Sequence, residues 1–235
     1  MIKRLFAGAL AASLTFAPAI AIAQDVDGDE ALDAVAETAV TAQSFVPVSF
    51  DATQDLENIL YLDLSNGGRV AIRLMPGWAP NHIERIKTLT RQGFYDGVIF
   101  HRVIDEFMAQ TGDPTGTGQG GSPLPDLEPE FNPMPHLRGT VAMARAQAEN
   151  SANSQFFIVF YPRFSLDNRY TNFGRVISGM EYVDAIERGE PAANPTRILQ
   201  ASIAADGRAQ RMPSAEPVAE ETEITLDMLN NSSAN

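Results

Sequence analysis

One arginine of this 235-residue chain stands in an apolar context from which it could do chemistry. Arg102 lies in the alternating run Phe-His-Arg-Val-Ile that begins at Phe100, and Phe107 and Met108 follow shortly after it. A guanidinium held against an apolar pocket offers several fixed donors and stays charged at any physiological pH. The alternative is an exposed arginine on an edge strand, since charged side chains are usually solvated. The pattern alone leaves both interpretations open.

Two adjacent aromatic residues give a second candidate for a binding surface. Phe156 and Phe157 lie within Gln155–Phe160, a run with the composition of a strand. Successive side chains of a strand point to opposite faces, so one ring can join the core while the other lines a surface pocket. The alternative is that both rings are in the core.

Other kinds of site find less support in the residues. Gly116 to Gly121 matches the Gly-x-Gly-x-x-Gly pattern, but Ser-Pro-Leu-Pro follows it where a dinucleotide loop must open a helix. We therefore reject phosphate binding at this loop. His82, His101 and His136 form no close ligand pair, and the chain has no cysteine. We expect no metal and no cofactor.

Short strands, long loops and two helices must position these residues. Strand-like runs cover 59–64, 69–74, 98–104, 140–144, 155–160, 173–178 and 198–204. Pro80 can open a helix that ends near Gly93, and the spacing of Met180, Val183 and Ile186 predicts a short second helix. This combination favours a single mainly-β domain, a barrel or sandwich plugged by helices.

The formal charge of −13 is concentrated outside the predicted domain, 58–205, which holds 15 acidic and 13 basic residues. The segment 24–57 has nine acidic residues and no basic one, and 206–235 has six acidic residues and two arginines. Such acidic, aromatic-poor segments bury little apolar area, so we predict a disordered N-terminal segment and a mobile C-terminal tail. An acidic chain is also a poor candidate for binding nucleic acid.

The first 23 residues have the layout of a secretory signal peptide. Lys3 and Arg4 precede an apolar stretch over 5–17, and Ala21-Ile22-Ala23 has small residues at the two positions that a signal peptidase reads. A retained membrane anchor is the alternative, but the apolar run is short for a span and Pro18 interrupts it. We predict a cleaved signal peptide and an exported protein without membrane contact.

Several stretches, taken in chain order, resemble the cyclophilin family of peptidyl-prolyl cis/trans isomerases. The matching stretches are 100–113, 139–145, 154–158 and 173–180. The resemblance runs from about Ile59 to Ala204, and it implies a mainly-β fold: an eight-stranded antiparallel barrel capped by two α-helices. The short loops and Tyr170 are similar to those of bacterial exported members, which implies a periplasmic location.

The resemblance also implies the catalytic residue and the proline pocket. Arg102 falls on the catalytic arginine of the family, and Gln110 falls on the glutamine that binds the substrate backbone. The pocket walls fall on Phe107, Met108, Phe157 and Leu166.

The neighbouring positions depart from the common pattern in three places. Ala144 and Gln155 fall on the adjoining substrate groove, and Arg145 falls where many members have asparagine. Tyr170 takes the place of a histidine common in eukaryotic members. Ser165 falls where those members often have the tryptophan associated with cyclosporin binding, so we expect weak cyclosporin binding.

The implied function is rotation of X–Pro bonds in proline-containing polypeptides during folding. Arg102 would donate to the prolyl nitrogen, which regains a lone pair when the amide twists. No bond is made or broken, so the reaction requires no nucleophile, metal or cofactor. Two alternatives remain open: a holdase that grips proline-containing segments without turnover, and a barrel that stores a small apolar ligand.

Overall fold

Eight antiparallel strands form one curled sheet in the computed structural model, which describes residues 47–214. The strands are β1 (Ile59–Leu64), β2 (Arg69–Leu74), β3 (Arg102–Ile104), β4 (Met108–Thr111), β5 (Thr140–Met143), β6 (Phe156–Val159), β7 (Asn172–Ser178) and β8 (Ile198–Ile203). Their order across the sheet is β3-β4-β6-β5-β7-β2-β1-β8. The predicted mainly-β, eight-stranded antiparallel fold is confirmed. The predicted signal peptide lies outside the described residues.

Two α-helices pack against the sheet, as predicted. Helix α1 is Pro80–Arg91, and helix α2 is Met180–Asp184. Pro80 suits the first turn of α1 because its missing N–H would have no partner there. The helix buries Ile83, Ile86 and Leu89 in the core, and so its apolar face matches the predicted period. No helix within residues 47–214 is long and apolar enough to cross a membrane.

The sheet has an apolar cluster on each face. The main core lies on the inner face and includes Val141, Phe156 and the buried residues of α1. A smaller outer-face cluster consists of Met108, Ala142, Ala144, Phe157 and Val159, with Ile104, Phe107, Leu166 and Tyr170 packed against it. Residues of the two clusters alternate along β4, β5 and β6, which is the alternation that a pleated strand imposes.

The segment 97–100 links the two edge strands of the sheet, β3 and β8. Gly97 donates to the Ile198 carbonyl at 2.7 Å, Phe100 donates to the Thr196 carbonyl at 2.9 Å, and Ile198 donates back to the Val98 carbonyl at 2.9 Å. Because β3 follows this segment directly, its position is fixed relative to β8.

Segments on both sides of the predicted domain contact β1 and β2. The buried Arg73 donates to the carbonyls of Ser49 at 3.2 Å and Gln54 at 2.9 Å. The buried Asp63 accepts a hydrogen bond from the backbone N–H of Arg211 at 2.7 Å. These contacts extend beyond residues 58 and 205, where the sequence placed the domain boundaries.

Candidate active site

The strand register brings four side chains into one row on the outer face. Arg102 is paired with Gln110, Gln110 with Phe157, and Phe157 with Ala142. Directly opposed residues of antiparallel strands project to the same face, so these side chains stand side by side. Met108, two residues before Gln110 on β4, shares that face.

The two phenylalanines of β6 have separate environments. Phe156 is fully buried in the main core and makes edge-on contacts with Tyr95 and Phe173, at ring distances of 5.6 and 6.2 Å. Phe157 is 5% exposed and belongs to the outer-face cluster, where its ring lies edge-on to Tyr170 at 5.6 Å. Of the two interpretations that the sequence left open, the structure shows the first, with Phe156 in the main core and Phe157 lining the pocket.

The outer-face cluster surrounds a pocket of about 130 Å³. Nine of the ten predicted site residues line it: Arg102, Phe107, Met108, Gln110, Ala144, Arg145, Phe157, Leu166 and Tyr170. An apolar cavity of roughly this size accepts one small ring such as benzene. The structure therefore brings residues from five separate stretches of the chain around one small apolar site.

Arg102, at the edge of this pocket, forms an ion pair with the carboxylate of Glu190. Its Nε donates to Glu190 Oε2 at 2.9 Å, and its side chain is 40% exposed. Within residues 47–214, its two terminal nitrogens have no hydrogen-bond partner. The guanidinium is thus tethered by one nitrogen and has its remaining donors available at the pocket.

The turn between β3 and β4 places Phe107 on the pocket wall. Glu106 adopts a left-handed conformation with φ 54°, and the N–H of Phe107 donates to the Ile104 carbonyl at 3.1 Å. Phe160 then donates to the Phe107 carbonyl at 2.9 Å. The Arg163 guanidinium lies over the Phe107 ring, 5.2 Å from its centre, and this cation–π contact helps to hold the ring.

Tyr170 and Arg145 support each other on the opposite wall. The Arg145 guanidinium lies 4.9 Å from the centre of the Tyr170 ring and donates to the Arg169 carbonyl at 3.0 and 3.1 Å. The Arg145 side chain therefore covers one face of the Tyr170 ring.

The turn Phe164–Leu166 contributes to the pocket through its last residue. Leu166 lines the pocket, whereas Phe164 is 65% exposed and Ser165 is also exposed. In the part of the chain that the structure describes, neither Phe164 nor Ser165 lines the pocket.

Gln155, the tenth predicted residue, supports Gln110 from an adjoining groove of about 520 Å³. The Gln110 amide donates to Gln155 Oε1 at 2.8 Å. The Gln155 amide in turn donates to the carbonyls of Gly118 at 3.1 Å and Gly120 at 2.7 Å. These bonds fix the orientation of both amides, and Ala144 lines the pocket and the groove alike.

The glycine loop has an internal anion as its partner. The fully buried Asp113 accepts hydrogen bonds from the amides of Gly118 at 2.6 Å and Gly120 at 3.1 Å, and from Thr115 at 2.7 and 2.8 Å. Burial raises the pKa of Asp113, but these hydrogen bonds outweigh it and lower the pKa to about 2. The amides that a phosphate would need are thus already bonded to a carboxylate.

Two residues at the site were missed by sequence reasoning. His136 stacks on Phe157 with ring centres 6.3 Å apart, and its Nδ1 lies 2.8 Å from Asp167 Oδ1. The sequence analysis considered His136 only as a metal ligand and rejected that role; within residues 47–214 no three candidate ligands cluster to hold a metal. Glu190 lies 88 positions from Arg102, and no motif around it indicated the contact.

An arginine-edged apolar pocket on the outer face of a curled, eight-stranded antiparallel sheet defines a cyclophilin type of protein. The family model described as "Cyclophilin type peptidyl-prolyl cis-trans isomerase/CLD" matches residues 59–203. A "Probable peptidyl-prolyl cis-trans isomerase" of Brucella suis is 46% identical over 190 residues, which cover 72% of this chain and 96% of the relative. The chain belongs to the cyclophilin-type peptidyl-prolyl cis-trans isomerase family, and the predicted enzyme class is confirmed.

Solved structures support the same assignment. Cyclophilin AquaCyp293 from Hirschia baltica matches with a TM-score of 0.60 and 28% identity, covering 65% of this chain and 76% of that one. A Cryptosporidium parvum cyclophilin-type isomerase, crystallised in the presence of the dipeptide Ala-Pro, matches with a TM-score of 0.58 and 28% identity. That match covers 62% of this chain and 98% of the parasite protein.

Proposed function

We propose that this enzyme accelerates X–Pro rotation in exported proteins during their folding, with Arg102 as the catalytic residue. The observation that carries the proposal is the position of Arg102 at the edge of the 130 Å³ apolar pocket, with its terminal nitrogens available to donate. A proline ring fits a pocket of this size and character. The adjacent guanidinium then lies beside the prolyl nitrogen.

The chemistry follows from the electronic structure of the amide. Uncatalysed rotation faces a barrier of about 20 kcal/mol because twisting breaks the resonance of the C–N bond. The twisted nitrogen regains a lone pair and accepts a hydrogen bond, which the planar nitrogen does not. A donor at Arg102 therefore stabilises the twisted state more than either planar state, and this difference is what lowers the barrier.

The flanking peptide must be held while one side of the bond rotates. The linked amides of Gln110 and Gln155 present a fixed polar surface between the pocket and the groove. We assign the peptide backbone to this surface and to the backbone of Arg145, and the residues beyond it to the groove. The Ala-Pro dipeptide present with the Cryptosporidium parvum relative supports a proline-containing ligand for the family.

Replacing Arg102 tests this mechanism. We expect Arg102→Ala to lower X–Pro exchange roughly a hundredfold, the loss typical when one preorganised donor is removed. Arg102→Lys should recover only part of the rate, since an ammonium lacks the planar fork of donors. The rates are measured on a proline peptide by NMR exchange or in a protease-coupled assay.

Arg138→Ala is the matched control for this experiment. Its side chain is 43% exposed, close to the value for Arg102, and it pairs with Asp184 at 2.6 Å away from the pocket lining. We expect this variant to retain the wild-type rate. A folded Arg102→Ala protein with near wild-type exchange would contradict the proposed role of Arg102.

One observation favours a second function, binding of unfolded segments without turnover. The exposed Phe164 belongs to the same turn as the pocket residue Leu166, so an apolar side chain of a client could contact both. A wild-type protein that binds a proline peptide but does not accelerate its exchange would favour this holdase role over catalysis.

We also propose that the protein acts in the periplasm as a chaperone-like folding catalyst. The layout of residues 1–23 supports export, and the Ala21-x-Ala23 pattern puts the mature N-terminus at Gln24. Cell fractionation with N-terminal sequencing tests the location.

The serine at position 165 supports weak cyclosporin binding, which a titration of the wild-type protein measures directly.

A further inference from the structure

The backbone places Glu190 beside Arg102. Val103 and Gly189 exchange two hydrogen bonds, at 2.8 and 3.0 Å, and so form an antiparallel bridge on the outer edge of β3. One step along such a bridge, residue 102 stands opposite residue 190. The 2.9 Å contact from Arg102 Nε to Glu190 Oε2 is the side-chain counterpart of this register.

The loop that carries Glu190 is fixed independently of Arg102. Gly189 has φ 146°, and a Cβ at this position would lie 2.6 Å from the backbone of Ala192, so the tight turn requires glycine. Arg188, on the other side, donates to Asp105 at 3.2 Å. The backbone that carries Glu190 is therefore held without the contact between Glu190 and Arg102.

The contact contributes little to the stability of the fold. The side chains of Arg102 and Glu190 are 40% and 55% exposed, and ion pairs at such exposure are close to neutral in unfolding experiments. The contact instead orients the Arg102 side chain, because a hydrogen bond to Nε restricts the rotation of the guanidinium without occupying the two terminal nitrogens. A donor that is oriented before the substrate arrives does not lose that freedom during the reaction.

We propose that Glu190 is a positioning residue, which orients the Arg102 guanidinium through Nε so that its terminal nitrogens face the prolyl nitrogen. This inference rests on the proposed function of Arg102. In this proposal Glu190 acts as a hydrogen-bond acceptor for Arg102 Nε, and the position of its oxygen matters more for catalysis than its negative charge. An amide oxygen at the same position can accept the same bond.

Two substitutions and a matched control test the inference. We expect Glu190→Ala to lower kcat about fivefold, the effect of one ordinary hydrogen bond, with KM nearly unchanged. Glu190→Gln should restore most of the wild-type kcat. Asp184→Ala removes a carboxylate from another exposed arginine pair, with Arg138, and should leave both constants unchanged. All three variants should unfold at the wild-type temperature.

An independent readout is the Nε–Hε NMR signal of Arg102. We expect slow exchange of this proton with water in the wild-type protein and in Glu190→Gln, and fast exchange in Glu190→Ala. An unchanged or higher kcat in Glu190→Ala would overturn the inference, and so would a glutamine variant as slow as the alanine variant. Inactive wild-type protein would contradict the proposed function instead, and the NMR signal would then decide the orientation by itself.

Discussion

At the scale of single residues, the Asp113 carboxylate accepts hydrogen bonds from several groups of the glycine loop beside the site. Its carboxylate organises the glycine loop, whose carbonyls at Gly118 and Gly120 orient Gln155, which in turn orients Gln110. One buried charge thus fixes the amide that we assign to the substrate backbone. A carboxylate at this position has to be ionised to accept so many donors at once.

This arrangement predicts a specific dependence of stability on pH. Hydrogen bonds to the carboxylate lower the pKa of Asp113 from 3.8 to about 2 despite its burial. The contribution is therefore fully present above about pH 4 and is lost as the pH falls through 2, a change of about 2 kcal/mol. Asp113→Asn lacks this term, so the difference in unfolding free energy between the two proteins should shrink from pH 5 to pH 2. Urea unfolding at both pH values measures it, and a constant difference would contradict the assignment.

At the scale of elements, the two faces of strand β6 have different tasks: one face packs in the core, and the other lines the pocket. Phe156 packs in the main core and Phe157 in the pocket, although they are neighbours in the sequence. The same substitution on either side of the strand should have different consequences.

Phe156→Ala and Phe157→Ala make a matched pair. We expect Phe156→Ala to lower the free energy of unfolding by about 3–5 kcal/mol, since it leaves a cavity in a closed core. Phe157→Ala opens onto a pocket that water can enter, so its cost in stability should be smaller and its loss of peptide affinity larger. Urea unfolding and peptide titration separate the two effects. Equal stability losses with unchanged affinity in Phe157→Ala would argue against a binding role.

Local signals predicted some elements well and others poorly. Pro80 marked the start of α1, and Asn66-Gly67-Gly68 marked the turn between β1 and β2, because both sequences have few alternative conformations. The hairpin of β3 and β4 was missed. Its turn contains Glu106 at φ 54°, a left-handed conformation that is usually indicated in a sequence by glycine, and no glycine stands there.

The site was predictable where its residues lie within short motifs, and not where tertiary contacts assemble it. The family resemblance identified Arg102, Gln110 and Phe157 as neighbours, and the register brings them together. It gave no indication of Glu190, which reaches Arg102 only through the bridge between Val103 and Gly189. The catalytic and binding roles themselves stay predictions until the variants are measured.

At the scale of the whole molecule, the flanking segments are anchored away from the site. Arg73 on β2 and Asp63 on β1 hold residues before and after the sheet, whereas the pocket is built on β3, β4, β5 and β6. In the order of the sheet, β7 separates these two groups of strands. The described parts of the flanking segments are therefore anchored on strands that do not build the pocket.

This separation predicts that anchoring affects stability and leaves catalysis intact. Arg73→Leu removes a buried guanidinium that donates to backbone carbonyls of the segment 49–55, and we expect a loss of about 3 kcal/mol in unfolding free energy. The isomerase rate per folded molecule should not change. Arg208→Leu, which replaces an exposed arginine, is the control and should leave both quantities unchanged. A lower rate in folded Arg73→Leu would show that anchor and site are coupled.

The bridge between Val103 and Gly189 has one more consequence, which concerns aggregation. β3 is an outermost strand, and an uncovered strand edge offers its N–H and C=O groups to any extended chain. Gly189 occupies those groups of Val103 on the free side. An extended chain therefore finds no free N–H or C=O of Val103 at this edge, and the bridge protects the edge from pairing with another strand.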